Sequence, residues 1–153
     1  MGMFTSINIA STGLSVERLR SDVISDNIAN ASTTRTQDGG PYKRSRVILS
    51  PIADEHPAWR TPYVPSDLDN GPGKGVKVSR IVKDTSRGTL IYDPNHPDAI
   101  KSGDEAGYVE YPNVNIVNEM VDLISASRAY EANATAFNTS KQIALKGLEV
   151  GQA

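Results

Sequence analysis

The sequence predicts an α+β fold: long N- and C-terminal α-helices pairing as an antiparallel coiled-coil-like hairpin, with a small antiparallel β-domain inserted between them. Three observations carry that expectation. Apolar residues recur every 3.5 positions at each end of the 153-residue chain, and between the ends the pattern changes to short Val-, Ile- and Tyr-rich runs separated by Pro and Gly. The expected organisation is an N-terminal helix over 1–31, a loop and β-domain over 32–112, and a C-terminal helix over 113–153.

The first element begins near Phe4. Stepping alternately by three and four gives Ile7, Ala10, Leu14, Glu17, Ser21, Ile24, Ile28 and Ala31, six of eight apolar, while Val16, Leu19 and Val23 form a second stripe beside them. Two stripes exceed what one partner helix can cover, so the surplus points to other subunits. From Asn27 to Lys43 the run of Asn, Thr, Asp, Gly and Pro favours an exit into a loop, because these residues compete with or cannot continue the helical backbone.

Arg44 to Ile52, Val76 to Lys83, Thr89 to Tyr92 and Tyr108 to Tyr111 then read as strands, with a long loop expected from Ala53 to Gly75. The last element is the most strongly patterned. Ile116, Met120, Leu123, Ser127, Tyr130, Ala134, Phe137, Lys141, Ala144 and Leu148 follow a four-three alternation, and eight of these ten are apolar or aromatic. Asn115 is placed to cap this helix, Glu119 suits the positive end of its dipole, and Gly147 and Gly151 offer stops. Its other faces carry Ser125, Ala126, Ala129, Ala132, Thr135, Ala136, Thr139 and Ser140, with no charge between Glu131 and Lys141. Small uncharged side chains permit close backbone approach, so the helix is expected to have neighbours on several sides.

Composition narrows the function. A net charge of -2 and a pI near 5.7 give no electrostatic case for nucleic acid or an anionic membrane as partner. Cysteine is absent, which removes disulfides and thiolate chemistry. No stretch has the roughly 18 uncharged apolar residues of a membrane span. The N-terminus lacks the basic and apolar regions of a conventional secretory signal, so none is expected. Met1 to Ser6 fits the short myristoylation pattern, a match that loose motifs produce by chance.

The residues offer little to catalysis. Asp93, His96 and Asp98 are close in sequence, but Asp93-Pro94-Asn95 and His96-Pro97 are turn sequences and no second ligand cluster follows. His56-Pro57 reads as loop. Gly71-Pro72-Gly73-Lys74-Gly75 lacks the ending of a phosphate loop and reads as a turn into the Val76 strand. With two histidines and no Ser-His-Asp spacing, no catalytic, cofactor or metal residue is expected. The Asn-x-Ser/Thr triplets at Asn30, Asn133 and Asn138 fall mostly within helices and do not read as glycosylation sites. Arg35, Lys43, Arg44 and Arg46 form a basic cluster around the loop that either meets acidic groups of a neighbouring subunit or is simply solvated.

Ser25-Asp26-Asn27-Ile28-Ala29-Asn30-Ala31, Glu119 through Ile124, and Arg128-Ala129-Tyr130-Glu131-Ala132-Asn133 resemble the bacterial flagellar rod and hook family. Ser32 through Thr36, Gly39 through Arg44, Asp93 through Ala99 and Gly107 through Val114 are similar to its proximal rod proteins. Where hook and distal rod proteins typically read Asn-Thr-Pro-Gly-Tyr after the first helix, this chain has a longer Thr-Arg and Gly-Gly-Pro-Tyr version.

The resemblance implies a structural subunit of the flagellar basal-body proximal rod. Such a subunit is exported without a cleaved signal by the flagellar export apparatus, and it self- and co-assembles in the periplasmic space into a helical tube that transmits motor torque. The implied partners are copies of itself, other rod proteins, the inner-membrane ring and the rod-base adaptor. The implied assembly interface comprises Ile7, Leu14, Leu19, Val23, Asn27, Ile28 and Asn30 from the first helix. From the second it takes Ile116, Met120, Leu123, Arg128, Tyr130, Glu131, Asn133, Phe137 and Leu148, and loop contacts fall to Arg35, Tyr42, Lys43 and Arg44. The competing reading is a coiled-coil adaptor that binds a partner helix without polymerising.

Overall fold

The computed structural model describes residues 4–37, 39–52 and 73–150. Most of the expected Ala53 to Gly75 loop, His56-Pro57, Gly71-Pro72, Gly151 and the first three residues of the myristoylation pattern lie outside them. The element order is α1 (Thr5–Ala29), β1 (Ser45–Pro51), β2 (Val76–Lys83), β3 (Thr89–Tyr92), β4 (Tyr108–Tyr111) and α2 (Ile116–Val150). This is the expected α+β architecture, two long helices with a small antiparallel β region between them.

The chain divides into two compact units, Met1–Leu19, Leu49–Ser79 and Ser127–Ala153 in one, and Arg20–Ile48 and Arg80–Ala126 in the other. Each helix contributes a part to each unit.

In the first unit Ala10, Val16 and Ala144 are buried. The helices approach closely at Gly13, where an added Cβ would stand 2.8 Å from the Asn133 amide. Gly75 has φ +110° and lies so close to Thr12 that a Cβ there would collide with its hydroxyl. The same hydroxyl accepts the Val76 N–H at 3.2 Å, which attaches the start of β2 to α1. Ile52 N–H donates to Gly75 O at 2.9 Å, closing the β1–β2 ladder at this end.

In the second unit Asp84 N–H donates to Arg44 O at 2.7 Å, so β1 and β2 run antiparallel. β3 and β4 form a separate antiparallel pair in the register Thr89↔Tyr111, Leu90↔Glu110, Ile91↔Val109 and Tyr92↔Tyr108. Val109 is the apolar centre here, and the Tyr92 and Tyr108 rings meet edge to face with centroids 5.2 Å apart. The connection from β3 to β4 folds on itself through Asp93: its carboxylate accepts the Asn95 N–H at 3.1 Å, and His96 Nδ1 accepts the Asp98 N–H at 3.1 Å.

α1 stops where Asn30 turns back on its own helix, its side chain donating to Asp26 O and to the Asp26 carboxylate, both at 3.0 Å. α2 starts at Asn115, whose Oδ1 accepts the N–H groups of Val117 at 3.0 Å and Asn118 at 3.2 Å, satisfying two of the donors a helix start leaves without partners.

Candidate functional site

The second unit contains a buried polar network in which three segments meet. Asn27, in the last turn of α1, is 1% exposed and uses its whole amide group. Its Nδ2 donates to Ser45 O at 2.9 Å while its Oδ1 accepts the Ser45 N–H at 2.9 Å, so it pairs with the first residue of β1 as a neighbouring strand would. The same Nδ2 donates to Glu119 Oε2 at 3.0 Å, and Oδ1 accepts from the Tyr42 hydroxyl at 2.9 Å.

Glu119, in the first turn of α2, is also 1% exposed. Its second oxygen accepts from Arg44 Nε at 2.5 Å in a charge-assisted bond. Arg44 reaches on to Asp122 Oδ2 at 3.4 Å, and Arg20 approaches the other Asp122 oxygen at 3.8 Å. Arg44 backbone groups extend the junction, the N–H donating to Asn113 Oδ1 at 3.0 Å and the carbonyl accepting from Asp84. Two guanidinium groups thus face two carboxylates, and both Glu119 oxygens are satisfied. That pairing is what makes burying a carboxylate tolerable.

Tyr42 closes the loop side. Its hydroxyl reaches Asp26 Oδ2 and Asn27 Oδ1, each at 2.9 Å. Partial burial, reinforced by the Asp26 carboxylate, raises the phenol above its ordinary pKa of 10.0. On the β region, hydrogen bonds from Ser86 lower the Asp84 carboxyl, and the hydrogen bond from Arg87 lowers Glu105. These last two carboxylates are half-buried.

The other residues marked from sequence fall into two sets. Ile7, Leu14, Leu19, Val23, Ile28, Asn30, Leu123, Asn133 and Phe137 are half-buried, whereas Ile116, Met120, Arg128, Tyr130, Glu131 and Leu148 are exposed. Among the loop residues, Arg35 pairs with Asp98 at 3.6 Å, and Lys43 lines an open groove of about 340 Å³ together with Lys83.

On α2 the inward column runs through Glu119, Ala126 and Asn133. It lies one residue before the apolar column of Met120, Ser127 and Ala134 read from the sequence. Leu123, Tyr130, Phe137 and Ala144 belong to both alternations, and of these Tyr130 is exposed. The outward face of the same helix half is strongly apolar: Val117 is 69% exposed, Val121 61% and Ile124 62%.

Glu119 as a network centre was missed in the sequence, where it reads only as a favourable charge near a helix start. The available signal was its seven-residue spacing to Ala126 and Asn133. Among the described residues no group of three or more His, Asp or Glu gathers to hold a metal ion, and no helix is long and apolar enough to cross a membrane. The network is suited to holding segments together, and it presents no nucleophile beside a base.

Two family models match the chain: flagella basal body rod protein over residues 7–36, and flagellar basal body rod FlgEFG protein C-terminal over residues 105–150. Among curated proteins the chain is similar to the flagellar basal-body rod protein FlgC of Borreliella burgdorferi, with 60% identity over 99% of both chains. It is also similar to the proteins of that name from Bacillus subtilis, at 40%, and Salmonella typhimurium, at 34%, each over 99% of this chain and all of the relative.

Proposed function

The chain belongs to the FlgC family of flagellar basal-body rod proteins and is a structural subunit of the rod, and we propose that its work there is purely mechanical. It occupies the proximal rod, where it assembles with copies of itself and with other rod proteins into a helical tube that carries motor torque. It has no catalytic activity. It reaches the periplasmic space through the flagellar export apparatus without a cleaved signal, and at the base it meets the inner-membrane ring and the rod-base adaptor. Relatives named as rod proteins throughout do not favour the non-polymerising adaptor.

The observation that carries this reading is the outward apolar row Val117, Val121 and Ile124 on α2, flanked by Ile116 and Met120. Side chains of this kind left in water gain by being covered, at roughly 1.5–3 kcal/mol for each one fully buried. A row at helical spacing calls for a second helix rather than a small molecule. The small residues of the remaining faces, Ser125, Ala129 and Ala132, then permit further neighbours. In the first unit Ile143, Leu145 and Leu148 are exposed in the same manner.

Ile124→Asp tests the reading. The site is exposed, so the variant should remain folded, with the parent's far-ultraviolet circular dichroism. In a strain lacking the native protein it should be exported yet yield no complete rod and no swimming. A complete rod and normal motility would show that this row is not an assembly surface.

A further inference from the structure

We propose that Asn27, Arg44 and Glu119 are register-determining residues: they fix the axial alignment of the second half of α1 against the first half of α2, and of both against β1. The apolar contacts of this unit are poor at that task. From the helices only Ile24 and Ala126 are buried among its apolar side chains. The side chain that α2 buries there is the small Ala126, which offers little to lock a neighbour at one height. One small buried side chain lets helices come close without saying where along their length they stop.

The polar groups do say it. Glu119 meets Asn27 at 3.0 Å, and as α1 runs back to Arg20 its partner on α2 runs forward to Asp122, an antiparallel pairing in one alignment. Asn27 engages both backbone groups of Ser45 and so selects a single residue of β1. Arg44, the residue before it, returns to Glu119 and closes the triangle. A slide of one turn moves the helices by about 5.4 Å. Hydrogen bonds do not survive such a displacement, and the Glu119 carboxylate and Asn27 amide would remain buried without partners. Buried polar groups that are individually costly to disrupt, yet replaceable as a set by apolar ones, have alignment as their best-supported role.

For assembly, this alignment decides which height of α2 carries the outward row relative to the β region. That consequence rests on the rod reading, whereas the alignment itself does not. The test is therefore made on the isolated full-length chain. Because the chain has no cysteine, Ser25→Cys and Ser125→Cys provide two exposed spin-label sites outside the network. Pulsed electron resonance then reads their separation in the parent and in the triple variant Asn27→Leu, Arg44→Met, Glu119→Leu.

The parent should give one narrow distance. The triple variant should keep the parent's helix content but gain a second population displaced by up to about 5 Å, the axial shift of one turn. A single parent-like distance in the triple variant would overturn the proposal. So would a triple variant that unfolds, since a set acting through alignment is replaceable without loss of folding, and so would a broad distribution in the parent. Loss of rods by the triple variant, measured separately in cells, bears only on the consequence for assembly.

Discussion

Truncating Glu119 to Ala should be the most damaging single change within the second unit. The carboxylate is 1% exposed and accepts from Asn27 and from Arg44. Removing it leaves the Asn27 amide short of one acceptor and the Arg44 guanidinium without its shorter partner. Breaking a buried pair from one side costs about 3–5 kcal/mol. The low end applies here, because the Arg44 side chain is 24% exposed and keeps Asp122 at 3.4 Å, so water and that second carboxylate recover part of the loss. The expected cost is about 3 kcal/mol, or roughly a hundredfold in the folding equilibrium.

In urea unfolding followed by circular dichroism, that loss lowers the midpoint by roughly 1.5 M for a denaturant slope of about 2 kcal/mol per M. The exposed pair Arg128–Glu131, with side chains 78% and 61% exposed, is the control, and Arg128→Ala should cost under about 0.5 kcal/mol. If Glu119→Ala falls within about 1 kcal/mol of that control, Glu119 is hydrated in solution and the network does not hold the unit together.

Other expectations follow from single contacts. Gly75→Ala should destabilise the first unit by about 1–3 kcal/mol, since it combines φ +110° with a collision against Thr12, and a thermal melt would register it. Asn115→Ala removes the cap of α2 and should cost about 1 kcal/mol in the same melt. Tyr42 has a folded pKa above 10.0, so its contribution is fully present below pH 10 and is lost as pH rises through the folded value. Tyr42→Phe should therefore flatten the alkaline limb of stability above pH 10, as followed by urea midpoints against pH.

The sequence reading located the elements well because each announces itself locally. β2, β3 and β4 occupy the expected residues, α1 stops within two residues of the expected Ala31, and the predicted cap at Asn115 forms. The helix faces were less legible, and the reason is physical. Apolar periodicity reports which side chains gain from leaving water but not which of several neighbours will cover them. On α2 the chain's own packing takes Glu119 and Ala126, while Met120 and Ser127 in the column beside them stay exposed. A glutamate in the first turn of a helix has a sufficient local explanation in the helix dipole, and nothing within ten residues reveals Arg44 or Asn27 as its partners. Contacts across sequence separations of 75 and 92 residues are set by tertiary arrangement.

This arrangement reverses the usual division of a globular protein's surface from its interior. Within the second unit, α2 turns a charged residue and an alanine inward, both at or below 1% exposed, and turns Val117, Val121 and Ile124 outward. A chain selected to stand alone would gain by exchanging the two faces, since covering three such side chains is worth about 5–9 kcal/mol and a buried ion pair contributes little net stability. The exchange would remove the apolar row from any neighbour. It would also replace the polar junction that fixes alignment with apolar contacts that tolerate sliding. Each subunit of a torque-bearing tube needs both properties, one fixed internal geometry and a sticky exterior. A polar interior with an apolar exterior supplies them together, at the expense of stability in the free subunit.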